Sequence, residues 1–201
     1  MKTTPRTCEQ CSTALPLMAR RHARFCGTRC RSRAHRVAKA TPFPADLTTR
    51  DRWVRRSADK VPLTTGATPA SSTNPRTWSS YKNAAASTVG AGLGFVLSDD
   101  DDIVCLDLDH CIDRLTGRMA PWAAAILRDA GTTYVEVSPS GDGLHIFGYA
   151  TVRQGRRIRR SDGTAVEIYG QGRYIAMTGR RHGKSPSSLA DVSALVNKLT
   201  Q

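Results

Sequence analysis

The stretch IVCLDLDHC, residues 103–111, limits the fold more than any other. Alternation at period two puts Val104, Leu106 and Leu108 on one face and Cys105, Asp107 and Asp109 on the other. The apolar run predicts a central strand with one face built for a core. The two carboxylates then share the opposite face, about 7 Å apart along the strand. Unpaired like charges at that distance disfavour ionisation. A fold containing this strand must therefore bring positive charge to its acidic face.

The chain has 201 residues, enough for one domain with a real core, or one domain plus a small module. Hydrophobic residues make up 39% and charged residues 23%, which excludes a disordered tail. No run of about 18 apolar residues occurs, so no membrane span is expected. The N-terminal MKTTPRTCEQC lacks the apolar stretch of a secretory signal, which predicts a cytoplasmic protein.

The net charge of +13 points to a polyanionic partner. Residues 1–60 hold 15 Lys/Arg and 4 Asp/Glu, a net of +11; residues 61–201 hold 15 and 13, a net of +2. The excess is N-terminal and densest from Arg20 to Lys39, which has eight cations and no acid. Nucleic-acid contact explains such a segment better than solubility alone.

Within it, Cys8, Cys11, Cys26 and Cys30 follow the pattern C-x2-C-x14-C-x3-C. Two pairs of thiolates at this spacing can close a tetrahedral site, which predicts structural Zn²⁺. So small a segment has too little apolar content to fold by burial, and metal would supply the missing energy. The segment is similar to zinc-ribbon modules of phage and plasmid proteins. His22 and His35 are alternative ligands, read here as exposed basic-face residues. RSRAHRVAKA (31–40) predicts a cationic helix, and ATPFPADLT (40–48) a linker or entry loop. The expected domains are a zinc-ribbon-like basic module over 1–40 and a catalytic domain over 41–201.

Downstream, Trp53 and Val54 open a first strand and residues 64–77 read as loop. TWSSYKNAAAST predicts a short helix capped near Asn74 or Thr77. GAGLGFVL turns into a strand and lacks the Lys-Ser/Thr of a phosphate loop. Asp99–Asp102 reads as a solvated loop. APWAAAILRDAG predicts a helix ending at Gly131, TTYVEVS and LHIFGYA two strands around SPSGDG, and AVEIYG and RYIAMTG two more. RQGRRIRRSDG reads as a basic connection. A last helix is expected, capped at Ser187 or Ser188. The fold class is α+β, a mixed sheet with helices on one face.

Asp107, Asp109 and Glu167 of AVEIYG form a carboxylate set suited to one or two Mg²⁺ or Mn²⁺ ions, which would answer the charge problem of the central strand. His145 and Arg173 would donate to phosphate oxygens beside them. Glu136 competes with Glu167 as third carboxylate and ranks second on motif order. His110 is read as structural; Cys105 and Cys111 share the aspartate face by alternation and are read as small packing residues. Tyr169, Tyr174 and Trp122 are candidates for base stacking, with core packing the commoner use.

The ordered set LDLD, SPSGDGLH and VEIY resembles the catalytic domain of the archaeo-eukaryotic primase superfamily, in particular phage and plasmid primase–polymerases, over roughly residues 50–185. The resemblance implies a catalytic fold with an RRM-like half and template-directed addition of nucleotides by two metal ions. It implies Asp107, Asp109 and Glu167 as metal ligands and His145 as a triphosphate contact. It places Ser138 and Ser140 near the same phosphates and makes Lys60 a nucleotide or template contact. The expected partners are single-stranded DNA template and dNTP or NTP. Phage members typically continue into a helicase domain, so the expectation is either a separate replicative helicase as a further partner or a chain that is a fragment of a longer one. Two rival readings use the same residues: a metal-dependent nuclease, and a non-catalytic replication-initiation protein that binds DNA through its zinc segment.

Overall fold

The computed structural model describes residues 6–8, 11, 13–16, 18–20, 23–32, 42–159 and 164–201. The chain divides into two compact units, Met1–Thr41 and Pro42–Gln201. In the first, a bridge between Thr7 and Ala14 forms a knuckle, closed by Cys8 N–H donating to the Thr13 carbonyl at 2.8 Å. A helical turn covers residues 28–32. The rest of the expected cationic helix, with His22 and His35, lies outside the described residues.

The second unit is α+β, as its pattern predicts. Its strands are β1 (Trp53–Arg56), β2 (Pro62–Leu63), β3 (Gly92–Leu97), β4 (Ile103–Leu108), β5 (Val135–Val137), β6 (Leu144–Tyr149), β7 (Arg156–Arg159), β8 (Ala165–Tyr169) and β9 (Arg173–Met177). Its helices are α1 (Ala45–Thr48), α2 (Tyr81–Ala86), α3 (Pro121–Ala130) and α4 (Ser193–Thr200). The single mixed sheet expected from the sequence is instead two sheets, ordered β5-β6-β4-β8-β7 and β2-β1-β3-β9, with antiparallel pairing throughout. Local pattern names strands but not their partners, and β9 follows β8 in sequence yet pairs with β3.

The five-stranded sheet carries two cores. Val104, Leu106, Leu108, Leu144, Ile146, Val166 and Ile168 meet the buried residues of α3 and α4 on one face. On the other, Cys105, Tyr134 and Phe147 meet Trp53, Phe95, Ile175 and Met177 of the second sheet. Helix α3 starts at Pro121, whose missing N–H costs nothing at a first helical position. It stops at Gly131, whose φ of +65° is open to glycine.

Several local readings change. The helix expected after Thr77 is a 3-10 turn, Pro75–Thr77, capped by Asn74, and then α2 capped by Ser80, whose hydroxyl accepts from Asn83 N–H at 3.2 Å. The last helix starts at Ser193, not near Ser187, with its first N–H held by the Asp191 carboxylate at 2.7 Å. Part of the basic connection, RRIR, is edge strand β7. Asp101 is not a merely solvated acid: it pairs with Arg50 at 2.8 Å and with the buried Arg52 at 2.5 Å. Burial would raise its pKa, but the hydrogen bonds from Arg52 and Arg50 outweigh that and hold it below the ordinary value. Cys111 leaves the aspartate face because the chain turns at His110 (φ +51°), and its side chain joins the helix-side core.

Candidate active site

Strand pairing builds the site. Asp107 on β4 lies directly opposite His145 on β6 and Glu167 on β8. The same row continues to Glu136 on β5 and Arg157 on β7. Directly opposed residues in antiparallel strands face the same side. Five strands thus present one line of ionisable groups, Glu136, His145, Asp107, Glu167 and Arg157, away from the helix-side core.

The middle of this line opens into a cleft of 510 Å³ whose lining includes Lys60, Ser72, Asp107, Asp109, His145, Glu167 and Arg173. Asp109 lies one residue beyond the end of β4, half-buried, with its N–H donating to the Ala165 carbonyl at 3.2 Å. Burial raises the pKa of Asp107; His145 offsets this in part, Asp109 and Glu167 raise it further, and Lys60 lowers it. The charge problem visible in the sequence is therefore present in the fold, and the cleft concentrates it.

Glu136 proves to be more than a competitor for Glu167. It is fully buried and accepts from the Tyr134 hydroxyl (2.9 Å), Thr178 N–H (3.1 Å) and Gly179 N–H (2.9 Å), with His145 Nδ1 at 3.1 Å. An ionised carboxylate only accepts, so Nδ1 carries the proton and donates. That turns Nε2 toward the cleft, 3.6 Å from Asp107. With four donors around it, Glu136 is occupied as an anchor for the imidazole and has little left for a metal.

Glu167 is held by cations. Arg157 Nε lies 3.0 Å from one oxygen; Arg173 Nη2 lies 3.6 Å from the other, which also accepts from the Tyr169 hydroxyl at 2.7 Å. The Arg173 guanidinium rests over the Tyr169 ring, 4.7 Å from its centre. Tyr169 is thus a support for the site. Lys60 sits in the turn between β1 and β2 with φ of +61°, and its carbonyl accepts from the Tyr174 hydroxyl at 2.6 Å.

Ser138 and Ser140 stand on the turn before His145. Neither lines the cleft; Pro139 between them does. Their hydroxyls lie 2.8 Å apart, and Ser140 donates to Asp142, which also holds His110 and Arg114. They shape the turn that presents His145. The sequence reading missed Arg157 and Ser72. Arg157 was legible only through its register with Glu167, and Ser72, whose hydroxyl donates to the Gly172 carbonyl at 2.9 Å, sits in a loop without pattern.

No protein-family model matches the chain. Over 133 residues, 63% of its length, the chain is 38% identical to the DNA primase-polymerase of Nitratiruptor phage NrS-1. That stretch of the chain is similar to part of a primase-polymerase. It covers 18% of that relative, so the larger protein's activity does not transfer whole.

Among the described residues, one group of side chains has its donor atoms close enough together to hold a metal ion, and it is four cysteines outside the cleft. The sulfurs of Cys8, Cys11, Cys26 and Cys30 all lie within 4.8 Å of one another. Cys26 lies 3.6 Å from Cys11 and 3.5 Å from Cys30, too far for a disulfide and close to the roughly 3.8 Å edge of a tetrahedron with 2.3 Å Zn–S bonds. The neighbouring Cys30, Cys11 and Cys8 push the Cys26 thiol up to about 12. Among the described residues, no helix is long and apolar enough to cross a membrane.

Proposed function

We propose that the chain is a metal-dependent nucleotidyltransferase that extends DNA on a single-stranded template from dNTP or NTP. One observation carries the reading: Glu167, Asp107 and His145 stand side by side on three adjacent strands, at the floor of a cleft bordered by Lys60 and Arg173. The 38% identity to a primase-polymerase gives the arrangement its chemistry.

In this reading Asp107, Asp109 and Glu167 hold Mg²⁺ or Mn²⁺, because three carboxylates form a hard oxygen donor set. Such ions would activate an attacking 3′-hydroxyl and neutralise the departing pyrophosphate. His145, held through Nδ1 by Glu136, presents Nε2 to a phosphate oxygen and donates to it when both ring nitrogens are protonated. Arg173 and Lys60 add charge to the triphosphate, and Arg157 balances Glu167. A nuclease has no need of His145, Arg173 and Lys60 around an incoming triphosphate, and a DNA-binding protein has no need of the carboxylates. The strand order β5-β6-β4-β8, with α3 and α4 on one face, supports an RRM-like half. Zn²⁺ on the four cysteines would fold the basic module, which adds affinity for the template.

The test is extension of a labelled primer on single-stranded DNA with Mn²⁺ or Mg²⁺ and dNTPs. Incorporation by the wild type that is lost in Asp107→Asn supports the reading; equal incorporation by both, or DNA cleavage without dNTPs, sinks it. Metal analysis of the purified chain tests the module, with one zinc expected per chain.

A further inference from the structure

A second groove begins where the cleft ends. Strand β9 borders the cleft with Arg173–Ala176 and the groove with Met177, and Pro139 lines both. From Tyr174 to Met177 the strand rises about 10 Å, the span of about three stacked nucleotides at 3.4 Å each. The groove has a floor of Phe43, Leu93 and Met177, with Tyr81 at its side. Its two charged lining residues are Arg56 and Arg180, and no acid lines it among the described residues.

Both arginines are placed for a phosphate. Arg180 is exposed, anchored by Nη2 donating to the Ser138 carbonyl at 2.6 Å. Arg56 lies across Gly92, where a Cβ would come within 2.9 Å of its guanidinium, so glycine makes room for it there. Arg56 Nη1 donates to the Ser57 carbonyl at 3.1 Å, and its buried Nε has no partner. Among the described residues no carboxylate pairs with either guanidinium, in contrast to Arg157 and Arg173, which both pair with Glu167. Apolar floor, aromatic side and unneutralised arginines are what an unpaired strand needs: a surface for bases and charge for its backbone.

We infer that this groove is a binding site for single-stranded DNA, which passes along β9 between the cleft and Arg180. The inference rests on the nucleotidyltransferase reading and adds the path of the strand to it. Arg56 and Arg180 contact phosphates, and a base lies against Tyr81.

The experiment uses the full chain, without metal or dNTP, and a single-stranded oligonucleotide containing 5-iodo-deoxyuridine. Ultraviolet crosslinking followed by peptide mapping is expected to place adducts on Tyr81 or on the segment 177–180. Arg180→Glu is expected to cut those adducts at least fivefold. It should weaken oligonucleotide affinity, and the logarithmic salt slope should fall by about 0.7 because one phosphate is no longer neutralised. Binding of Mn²⁺–dNTP to the same variant should be unchanged. Adducts confined to residues 1–41, or equal yields from wild type and Arg180→Glu, would overturn the inference. So would competition by free dNTP but not by unlabelled DNA, which would make the groove a mononucleotide site. If extension fails in the wild type while the groove still crosslinks, the catalytic reading falls and the groove stands.

Discussion

The two faces of the five-stranded sheet are made by the same strands, one residue out of step. The helix-side face is apolar across its strands, from Val135 through Ile146, Leu106 and Val166 or Ile168. The other face begins the same way, with Tyr134, Phe147 and Cys105, and then changes within two residues to Glu136, His145 and Asp107. Burial stabilises the first face. The second keeps Glu136, His145 and Glu167 buried but fills its row with ionisable groups instead of apolar ones. A one-residue slip in register would put Asp107 into the core and Leu106 into the cleft, so the helix-side core is also what holds the site in register.

Breaking the charged face should remove chemistry and spare the fold. Asp107→Asn is expected to lower primer extension by more than about a hundredfold, beyond the 10- to 100-fold typical of residues behind a metal's ligands. Its effect on stability has the opposite sign. The folded carboxyl has a raised pKa, so its ionised form costs stability at neutral pH. The variant should melt at or above the wild-type temperature at pH 7, with the difference vanishing below about pH 4, where the carboxyl is protonated in both states. Melting curves at the two pH values check this.

Breaking the apolar face should do the reverse. Leu106→Ala removes a fully buried side chain one residue away. It is expected to cost about 3 kcal/mol in urea unfolding while Mn²⁺ binding to the folded fraction persists.

Glu136 joins the two faces, being buried like a core residue and bonded like a site residue. Glu136→Gln replaces one acceptor oxygen with a donor that faces N–H groups. We expect kcat/KM for dNTP to fall about 10- to 100-fold, with Glu136→Asp recovering part of it. A purely structural role would move the melting temperature and leave kcat/KM of the folded enzyme unchanged.

The smallest effect is expected at Asp101, far from the line of charge. Its folded pKa is depressed, so its contribution is present above the unfolded value of about 3.9 and lost as pH falls through the folded value. Asp101→Asn should cost about 2 kcal/mol at pH 7, a figure discounted because Arg50 is exposed. The gap to wild type should close under strong acid in a pH series of unfolding curves.

Much of the site was legible. Period-two alternation placed Asp107 on a buried strand, SPSGDGLH placed His145 after a tight turn, and four cysteines announced their cluster by spacing alone. What was not legible shares a cause. Ser138 and Ser140 come shortly before His145 in sequence, and the turn folds their hydroxyls onto each other and Asp142, which no local pattern shows. Arg157 looked like part of a basic connection because nothing local pairs it with Glu167. Cys111 looked like a neighbour of Asp109 because alternation was carried past a turn that ends it.

Sequence alone determined most of the elements, the thiol pattern and the presence of an acidic strand needing a cation. Those follow from side-chain periodicity and spacing, which act over a few residues. Tertiary structure decided which sheet each strand joined, that Glu136 anchors His145, that Arg157 and Arg173 hold Glu167, and that a second groove continues the cleft along β9. These depend on register between strands distant in sequence, and no local pattern encodes a register until the hydrophobic faces have met.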